Sequence, residues 1–123
     1  MKSLESATSK KFNLEDRLVD FASDIVLFFT DLPEDMTGQY YGNQILRSSG
    51  SSALNFGEAQ GTITGKDYVY KASLCLKELK ESRVNLKILG KVNYGDASKR
   101  KMLLDETDQL IKIMATIIKN KRG

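Results

Sequence analysis

Apolar residues recur every three or four positions through most of the chain, the spacing that places them on one face of an α-helix. Asn13 is suited to cap a first helix, and Pro33 marks its end. Between them the apolar positions are Leu18, Val19, Ala22, Ile25, Val26, Phe29 and Leu32. No segment alternates with period two, so the pattern predicts helices and no strands.

Three further helices follow from the turn and capping signals. The second is predicted from about Thr37 to Gln60, and the glycines of the following segment GTITG, residues 61–65, make it a turn. Thr64, three residues before Asp67, has the spacing of a capping box and begins the third helix. A second turn, GKVNYG at 90–95, precedes Asp96, the predicted N-cap of the fourth helix.

The last two helices also carry one apolar face each. In the third helix the face consists of Tyr68, Ala72, Cys75, Leu76, Leu79, Ser82, Leu86 and Leu89. In the fourth it consists of Leu103, Leu110, Ile111, Met114, Ile117 and Ile118. Four amphipathic helices with short connections predict an all-α fold, an up-down-up-down antiparallel four-helix bundle over residues 13–123, after a flexible tail at residues 1–12.

The second helix contains a run of small residues, Ser48 to Ala53, that could also be read as a loop. The helical face continues in phase across it, at Ile45, Ser49, Ser52, Phe56 and Ala59, which favours a helix. Ser49, Ala53 and Gly57 lie four apart and form a row of small side chains that permits close helix packing. The neighbour on this row is either another helix of the same bundle or another subunit.

Composition limits the chemistry of the chain. The net charge is +3, there is one cysteine and there is no histidine. A di-iron site in a four-helix bundle needs histidine ligands, and a cysteine nucleophile needs an activating base, so no metal, cofactor or catalytic residue is predicted. Cys75 is predicted to be buried. The longest apolar run is too short to cross a membrane, and a cytoplasmic location is expected.

Five polar residues lie beside the apolar stripes of the second and third helices: Arg47, Asn55, Glu58, Glu78 and Arg83. We interpret them as a structural polar network that fixes the register of the helices, since buried charges need partners. The functional alternative is a cleft for a small molecule or substrate, using Asn55, Glu58 and Glu78.

Basic residues provide the candidate nucleic-acid-binding site. In the third helix, Lys77, Lys80, Lys87 and Lys91 are three, seven and four residues apart and share one side. Lys99, Arg100 and Lys101 form a second basic cluster, and KNKRG ends the chain. Such residues neutralise successive phosphates and make binding dependent on salt.

The segments NQILRSSGSSALNFGEAQG and KDYVYKASLCLKELKESRVNLKIL closely resemble a bacterial family of four-helix-bundle proteins named after intervening sequences in 23S ribosomal RNA genes. The matching positions are Gln44, Leu46, Arg47, Ser48, Asn55, Glu58, Ala59, Lys77, Glu78, Glu81 and Arg83. The resemblance covers residues 15 to 118 and implies a ring-shaped homopentamer. The family is also similar to the accessory variability protein of diversity-generating retroelements, a basic pentamer that binds RNA and a reverse transcriptase.

The sequence therefore predicts a non-enzymatic, homo-oligomeric bundle that binds structured RNA or a ribonucleoprotein through its basic helix faces. The alternative is a protein-interaction scaffold that binds no nucleic acid.

Overall fold

The computed structural model describes residues 13–122, and four α-helices account for most of them. The predicted flexible tail, residues 1–12, lies outside the described residues. The helices are α1 (Leu14–Phe29), α2 (Met36–Gln60), α3 (Gly65–Lys91) and α4 (Ala97–Arg122). The residues Ser48 to Ala53 lie inside α2, which confirms that this run is helical.

The helix starts follow the predicted caps. The Asn13 side chain accepts a hydrogen bond from the Asp16 amide (3.0 Å), and the Thr64 hydroxyl accepts one from the Asp67 amide (3.0 Å). The Asp96 carboxylate accepts one from the Lys99 amide (2.8 Å). Each cap satisfies an amide that the first turn of a helix leaves without an intrahelical partner.

The turn between α1 and α2 differs from the prediction. Helix α1 ends at Phe29, before Leu32, because the residue that precedes a proline is disfavoured in the helical conformation. Leu32 still packs into the core from the turn and is 6% exposed. The cap of α2 is Asp35, whose side chain accepts a hydrogen bond from the Gly38 amide (2.8 Å).

Contacts between consecutive helices run in opposite directions along the chain, as an antiparallel bundle requires. Between α1 and α2, Gln60 donates to Glu15 near one end, and Gly42 lies against Phe29 near the other. Between α3 and α4, Lys121 lies 4.8 Å from the centre of the Tyr68 ring. The Arg83 guanidinium lies 3.6 Å from Asp108 further along this pair.

The core contains residues from all four helices and from the turn after α1. Its buried apolar members are Leu18, Phe21, Ile25, Phe28, Leu32, Ile45, Phe56, Ala59, Ala72, Cys75, Leu79, Leu86, Leu89, Leu103, Leu110, Met114 and Ile118. Cys75 is fully buried, as predicted, and burial raises the pKa of its thiol to about 12. The thiol is therefore protonated at neutral pH, which suits a packing role.

Two glycines allow close approach to phenylalanine rings. Gly95, in the turn between α3 and α4, has φ +81°, and a Cβ there would lie 2.5 Å from the Phe28 ring. A Cβ at Gly42 of α2 would lie 2.4 Å from the Phe29 ring. Alanine at either position would force a shift of the neighbouring ring, and at Gly95 it would also occupy a strained backbone conformation.

Candidate nucleic-acid interface

Four exposed lysines run along the outer side of α3. Lys77, Lys80, Lys87 and Lys91 fall within about 80° of one another around the helix axis at 3.6 residues per turn. They span about 21 Å at 1.5 Å per residue. We call these four residues the lysine stripe. A straight row of this length can contact several phosphates of one nucleic-acid strand.

Three more exposed side chains extend this surface. Lys66 and Tyr70 lie on the same side of α3 before the stripe, and Val84 lies between Lys80 and Lys87. Tyr70 is 62% exposed, so its ring is accessible for stacking on a base. The sequence pattern did not identify Lys66 and Tyr70 as part of this surface. Tyr70 lies seven residues before Lys77, and this spacing places two residues on the same face of a helix.

The acidic residues that lie beside the stripe on α3 contact residues of α2. Both Glu78 and Glu81 pair with Arg47, and the Glu78 oxygens lie 3.2 and 3.3 Å from its guanidinium nitrogens. The Glu78 side chain is 13% exposed and also accepts a hydrogen bond from the Ser51 hydroxyl (3.3 Å). Because these two carboxylates are engaged by Arg47, they reduce the positive field of the stripe less than their sequence positions suggest.

The predicted polar network is distributed over three places. Asn55 donates to the Ser51 carbonyl (2.9 Å) and hydroxyl (3.1 Å), which connects it with Glu78 and Arg47. Glu58 pairs separately with Lys71 across α2 and α3 (2.6 Å), and this contact raises the pKa of Lys71.

Arg83 is the member of the predicted network that faces α4. Its guanidinium lies 3.6 Å from Asp108, and its Nε is buried with no hydrogen-bond partner among the described residues. The five residues thus join α2 to α3 and α3 to α4, at separate points.

The second basic cluster is engaged in structural contacts at two of its three positions. Lys99 pairs with Asp31 (3.0 Å), and the hydrogen bond raises the pKa of Lys99. Arg100 donates to the Tyr94 and Gly95 carbonyls (2.7 and 3.1 Å) and so holds the turn before α4. Lys101 is exposed on α4. Of this cluster, Lys101 is therefore the residue best placed to contact a ligand.

The row of small residues on α2 lies beside α1 at its Gly57 end. Ser49 is buried, Ala53 is half-buried, and a Cβ placed on Gly57 would lie 3.8 Å from the Glu15 carboxylate. That distance is an ordinary contact, so Gly57 itself does not require a glycine. Close packing of this row against a helix or another subunit stays a prediction.

The hydroxyl pair between α2 and α3 is a different contact. Ser48 and Ser82 are both fully buried, and their hydroxyl oxygens lie 2.6 Å apart. Buried hydroxyls need partners. The two serines hydrogen-bond to each other, and Ser48 also lies 3.4 Å from the Ile45 carbonyl, while the small side chains let the two helices approach.

Residues 13–122 contain neither a membrane-spanning helix nor a candidate metal site. No helix in this part of the chain is long and apolar enough to span a bilayer. No group of three or more histidine, cysteine, aspartate or glutamate residues within the same range could hold a metal ion.

Comparison with known proteins identifies relatives of the whole bundle. The model of the family described as 23S rRNA-intervening sequence protein matches residues 10–116. A crystal structure from Bacteroides thetaiotaomicron VPI-5482, described as a protein of unknown function from the S23 ribosomal protein family, is 26% identical with a TM-score of 0.80. The alignment covers 86% of this chain and 98% of that one. No curated protein matches. The chain belongs to the 23S rRNA-intervening sequence protein family.

Proposed function

We propose that this chain is a non-enzymatic, cytoplasmic, homo-oligomeric bundle that binds structured RNA or a ribonucleoprotein through the lysine stripe. The observation that carries the proposal is the continuous exposed row of Lys77, Lys80, Lys87 and Lys91 on one side of α3. Lys101 of α4 is a further candidate contact.

The distribution of charge supports this choice of surface. Residues 65–91 contain seven lysines and arginines against three carboxylates, whereas residues 13–35 contain seven carboxylates and one arginine. Helix α4, residues 97–122, has the same balance of seven to three, so the basic charge is concentrated on α3 and α4, and on α3 it forms one exposed row. Contacts of this kind recognise phosphates and shape, and they carry little sequence information.

The non-enzymatic part of the proposal is supported by the state of the polar side chains. Glu78 is held by Arg47 and Ser51, Asn55 is bound to Ser51, and Glu58 is paired with Lys71. Side chains engaged in this way stabilise helix contacts, and a catalytic role would require them to exchange these partners for a substrate.

The resemblance to pentameric proteins supports a pentamer as the assembly. Light scattering should then give five times the mass of one chain in solution. A clean monomer at micromolar concentration would contradict the assembly and would leave the proposal for the lysine stripe intact.

RNA binding is tested by titrating a labelled RNA hairpin at several salt concentrations. Affinity should fall steeply with salt, and Lys80→Glu with Lys87→Glu should weaken binding at least tenfold, because two phosphate contacts are lost and two repulsions are added. The slope of log affinity against log salt should also fall by about two.

The matched control is a single charge reversal elsewhere. Lys112 is exposed on α4 outside the stripe, so Lys112→Glu changes the net charge as much as Lys80→Glu does. We expect Lys80→Glu to weaken binding several-fold more than Lys112→Glu. Equal effects of the two substitutions would overturn the assignment to the stripe.

A protein-interaction scaffold without nucleic-acid affinity is the second candidate. The exposed Leu27 and Met102, which flank one groove of the bundle, favour it. It predicts that the chain binds no RNA hairpin at low salt, and that a specific protein is recovered with it after nuclease treatment.

A further inference from the structure

A groove of about 520 Å³ runs between α1 and α4. We call it the α1–α4 groove. Phe21 and Phe28 of α1 and Leu103 of α4 line it, and all three are buried in the bundle core. The groove therefore has an apolar floor formed by the core itself.

Polar contacts join the two helices at the ends of the groove. Arg17 of α1 binds the Glu106 carboxylate through two hydrogen bonds of 2.8 Å and also donates to Gln109 (2.7 Å). Asp31, just after α1, pairs with Lys99 at the start of α4. These contacts fix the separation of the helices, so the groove is a formed feature of the fold.

Two large apolar side chains stand exposed on the walls of the groove. Leu27 of α1 is 62% exposed, and Met102 of α4 is 69% exposed. A single exposed apolar residue is ordinary on a soluble protein. Two that face one apolar groove from opposite helices form a patch of the kind that binding partners cover, and methionine adapts well to different partners.

The rim of the groove is acidic. Asp20 and Asp24 line it from α1, and Asp105 and Glu106 line it from α4, where the Glu106 carboxylate is paired with Arg17. Lys99 also lines the groove, and its positive charge is paired with Asp31. A ligand that covers the groove should therefore carry positive charge around an apolar centre.

The length of the groove limits the form of this ligand. Its lining residues extend from 99 to 109 on α4, which is about 15 Å, or roughly three turns of helix. An amphipathic helix with apolar residues at positions i, i+3 or i+4, and i+7 matches such a groove. A metal ion or polyamine would leave Leu27 and Met102 exposed, and a nucleic acid would be repelled by the carboxylates.

We propose that the α1–α4 groove binds a basic amphipathic helix of a partner protein. The apolar side of that helix covers Leu27 and Met102, and its lysines or arginines face Asp24 and Asp105. The lysine stripe of a second copy is a poorer match, because Val84 is the one exposed apolar side chain between Lys77 and Lys91 on that side of α3. This site lies on α1 and α4 and does not depend on RNA binding at α3.

The test uses the full chain and a fluorescein-labelled peptide of about 18 residues, with leucines on one helical face and lysines elsewhere. Two control peptides are a scrambled sequence of the same composition and a version with glutamate in place of lysine. We expect fluorescence anisotropy to show binding of the basic amphipathic peptide, with both controls at least tenfold weaker. Equal binding of the scrambled peptide would overturn the proposal.

Matched variants locate the peptide on the protein. Asp24→Lys with Asp105→Lys should weaken peptide binding at least tenfold. The control is Glu34→Lys with Asp67→Lys, which changes the net charge equally at exposed carboxylates outside the groove and should stay within twofold of wild type. Equal losses in the two double variants would show a general charge attraction and overturn the site.

A third variant separates the apolar contribution from the charge. Leu27→Ser with Met102→Ser keeps every charge and should also weaken peptide binding at least fivefold. Circular dichroism should show an unchanged helical content, because both side chains are mostly exposed. Peptide binding unaffected by this variant would overturn the proposal. A lower solution mass of any groove variant would identify a second copy of this chain as the occupant of the groove. That result would also overturn the proposal of a partner protein.

Discussion

The contact between α2 and α3 is closed, whereas that between α1 and α4 leaves an open groove. On the closed side Ser48 and Ser82 meet hydroxyl to hydroxyl at 2.6 Å. On the open side Leu27 and Met102 stand apart above an apolar floor, with carboxylates on both walls. Small side chains with satisfied hydroxyls let α2 and α3 approach, whereas bulky side chains lie between α1 and α4, and ion pairs join those two helices at the ends of the groove.

Charge separates the two sides of the molecule in the same way. The carboxylates that accompany the α2–α3 contact, Glu78 and Glu81, both pair with Arg47, which offsets one of their two negative charges. The lysine stripe on the outer side of α3 is therefore left as a basic surface. Along α1 the aspartates dominate, and the groove beside it is acidic. The two proposals accordingly assign an anionic ligand to one face and a cationic ligand to the other.

The largest expected effect is on the closed side. Ser82→Leu places a larger apolar side chain where two helices are in contact and removes the partner of the Ser48 hydroxyl on α3, which leaves only the 3.4 Å hydrogen bond from Ser48 to the Ile45 carbonyl. Overpacking and the lost hydrogen bond should lower the free energy of unfolding by about 2 to 4 kcal/mol. Urea denaturation followed by circular dichroism measures the change.

The control for this substitution is Ser23→Leu. Ser23 is exposed on α1, and its hydroxyl donates to the Val19 carbonyl within the same helix. The same chemical change should alter the free energy of unfolding there by no more than about 0.5 kcal/mol. If the two variants were equally stable, the α2–α3 contact would not be the closely packed part of the bundle.

A smaller effect is expected at the charged edge of the same contact. Arg47→Ala removes the partner of Glu78, whose side chain is 13% exposed, and of Glu81. The free energy of unfolding should fall by about 1 kcal/mol, more than an isolated surface pair contributes, because Glu78 loses its main cationic partner. In Arg47→Lys a large part of this loss should be recovered. A stability equal to wild type in Arg47→Ala would contradict the structural role of the cluster.

The smallest effect on stability is expected at the end of the bundle where the turn before α2 contacts the turn before α4. The Tyr94 hydroxyl donates to the Asp35 carboxylate (2.6 Å), and this bond lowers the pKa of Asp35. A lowered pKa in the folded state stabilises the fold above the unfolded-state value, and that contribution is lost as the pH falls through the folded-state pKa.

Tyr94→Phe removes the donor and tests this relation. The pKa of Asp35 should rise toward its ordinary value, and the acid dependence of stability should weaken slightly. NMR titration of the Asp35 carboxyl carbon measures the shift. An unchanged titration in Tyr94→Phe would show that the backbone amides at the start of α2, Gly38 among them, set the pKa of Asp35 without the tyrosine.

The helices and most of the core could be predicted from the sequence because both depend on local patterns. Asn13, Thr64 and Asp96 cap helices as predicted, since capping involves residues three positions apart. Cys75 and the continuous helix through Ser48 to Ala53 follow from helical periodicity. Asp35 was missed as a cap because the preceding Pro33 and Glu34 obscure where the turn ends and α2 begins.

The candidate sites depended on long-range pairing, which a sequence pattern does not contain. Arg47 and Glu78 of the predicted polar network pair with each other, whereas Glu58 and Arg83 pair with Lys71 and Asp108, on the helices that the bundle brings beside them. Arg100 was expected on a binding surface, yet its guanidinium is held by carbonyls of the preceding turn. The α1–α4 groove arises from packing alone and had no signal in the sequence.

The most direct test of RNA binding at the lysine stripe is lysine acylation footprinting with and without an RNA hairpin, read by mass spectrometry. We predict that RNA lowers the reactivity of Lys77, Lys80, Lys87 and Lys91, while that of Lys112 on α4 stays unchanged. Protection should disappear at high salt. Protection of Lys112 with no change along the stripe would contradict the proposed interface.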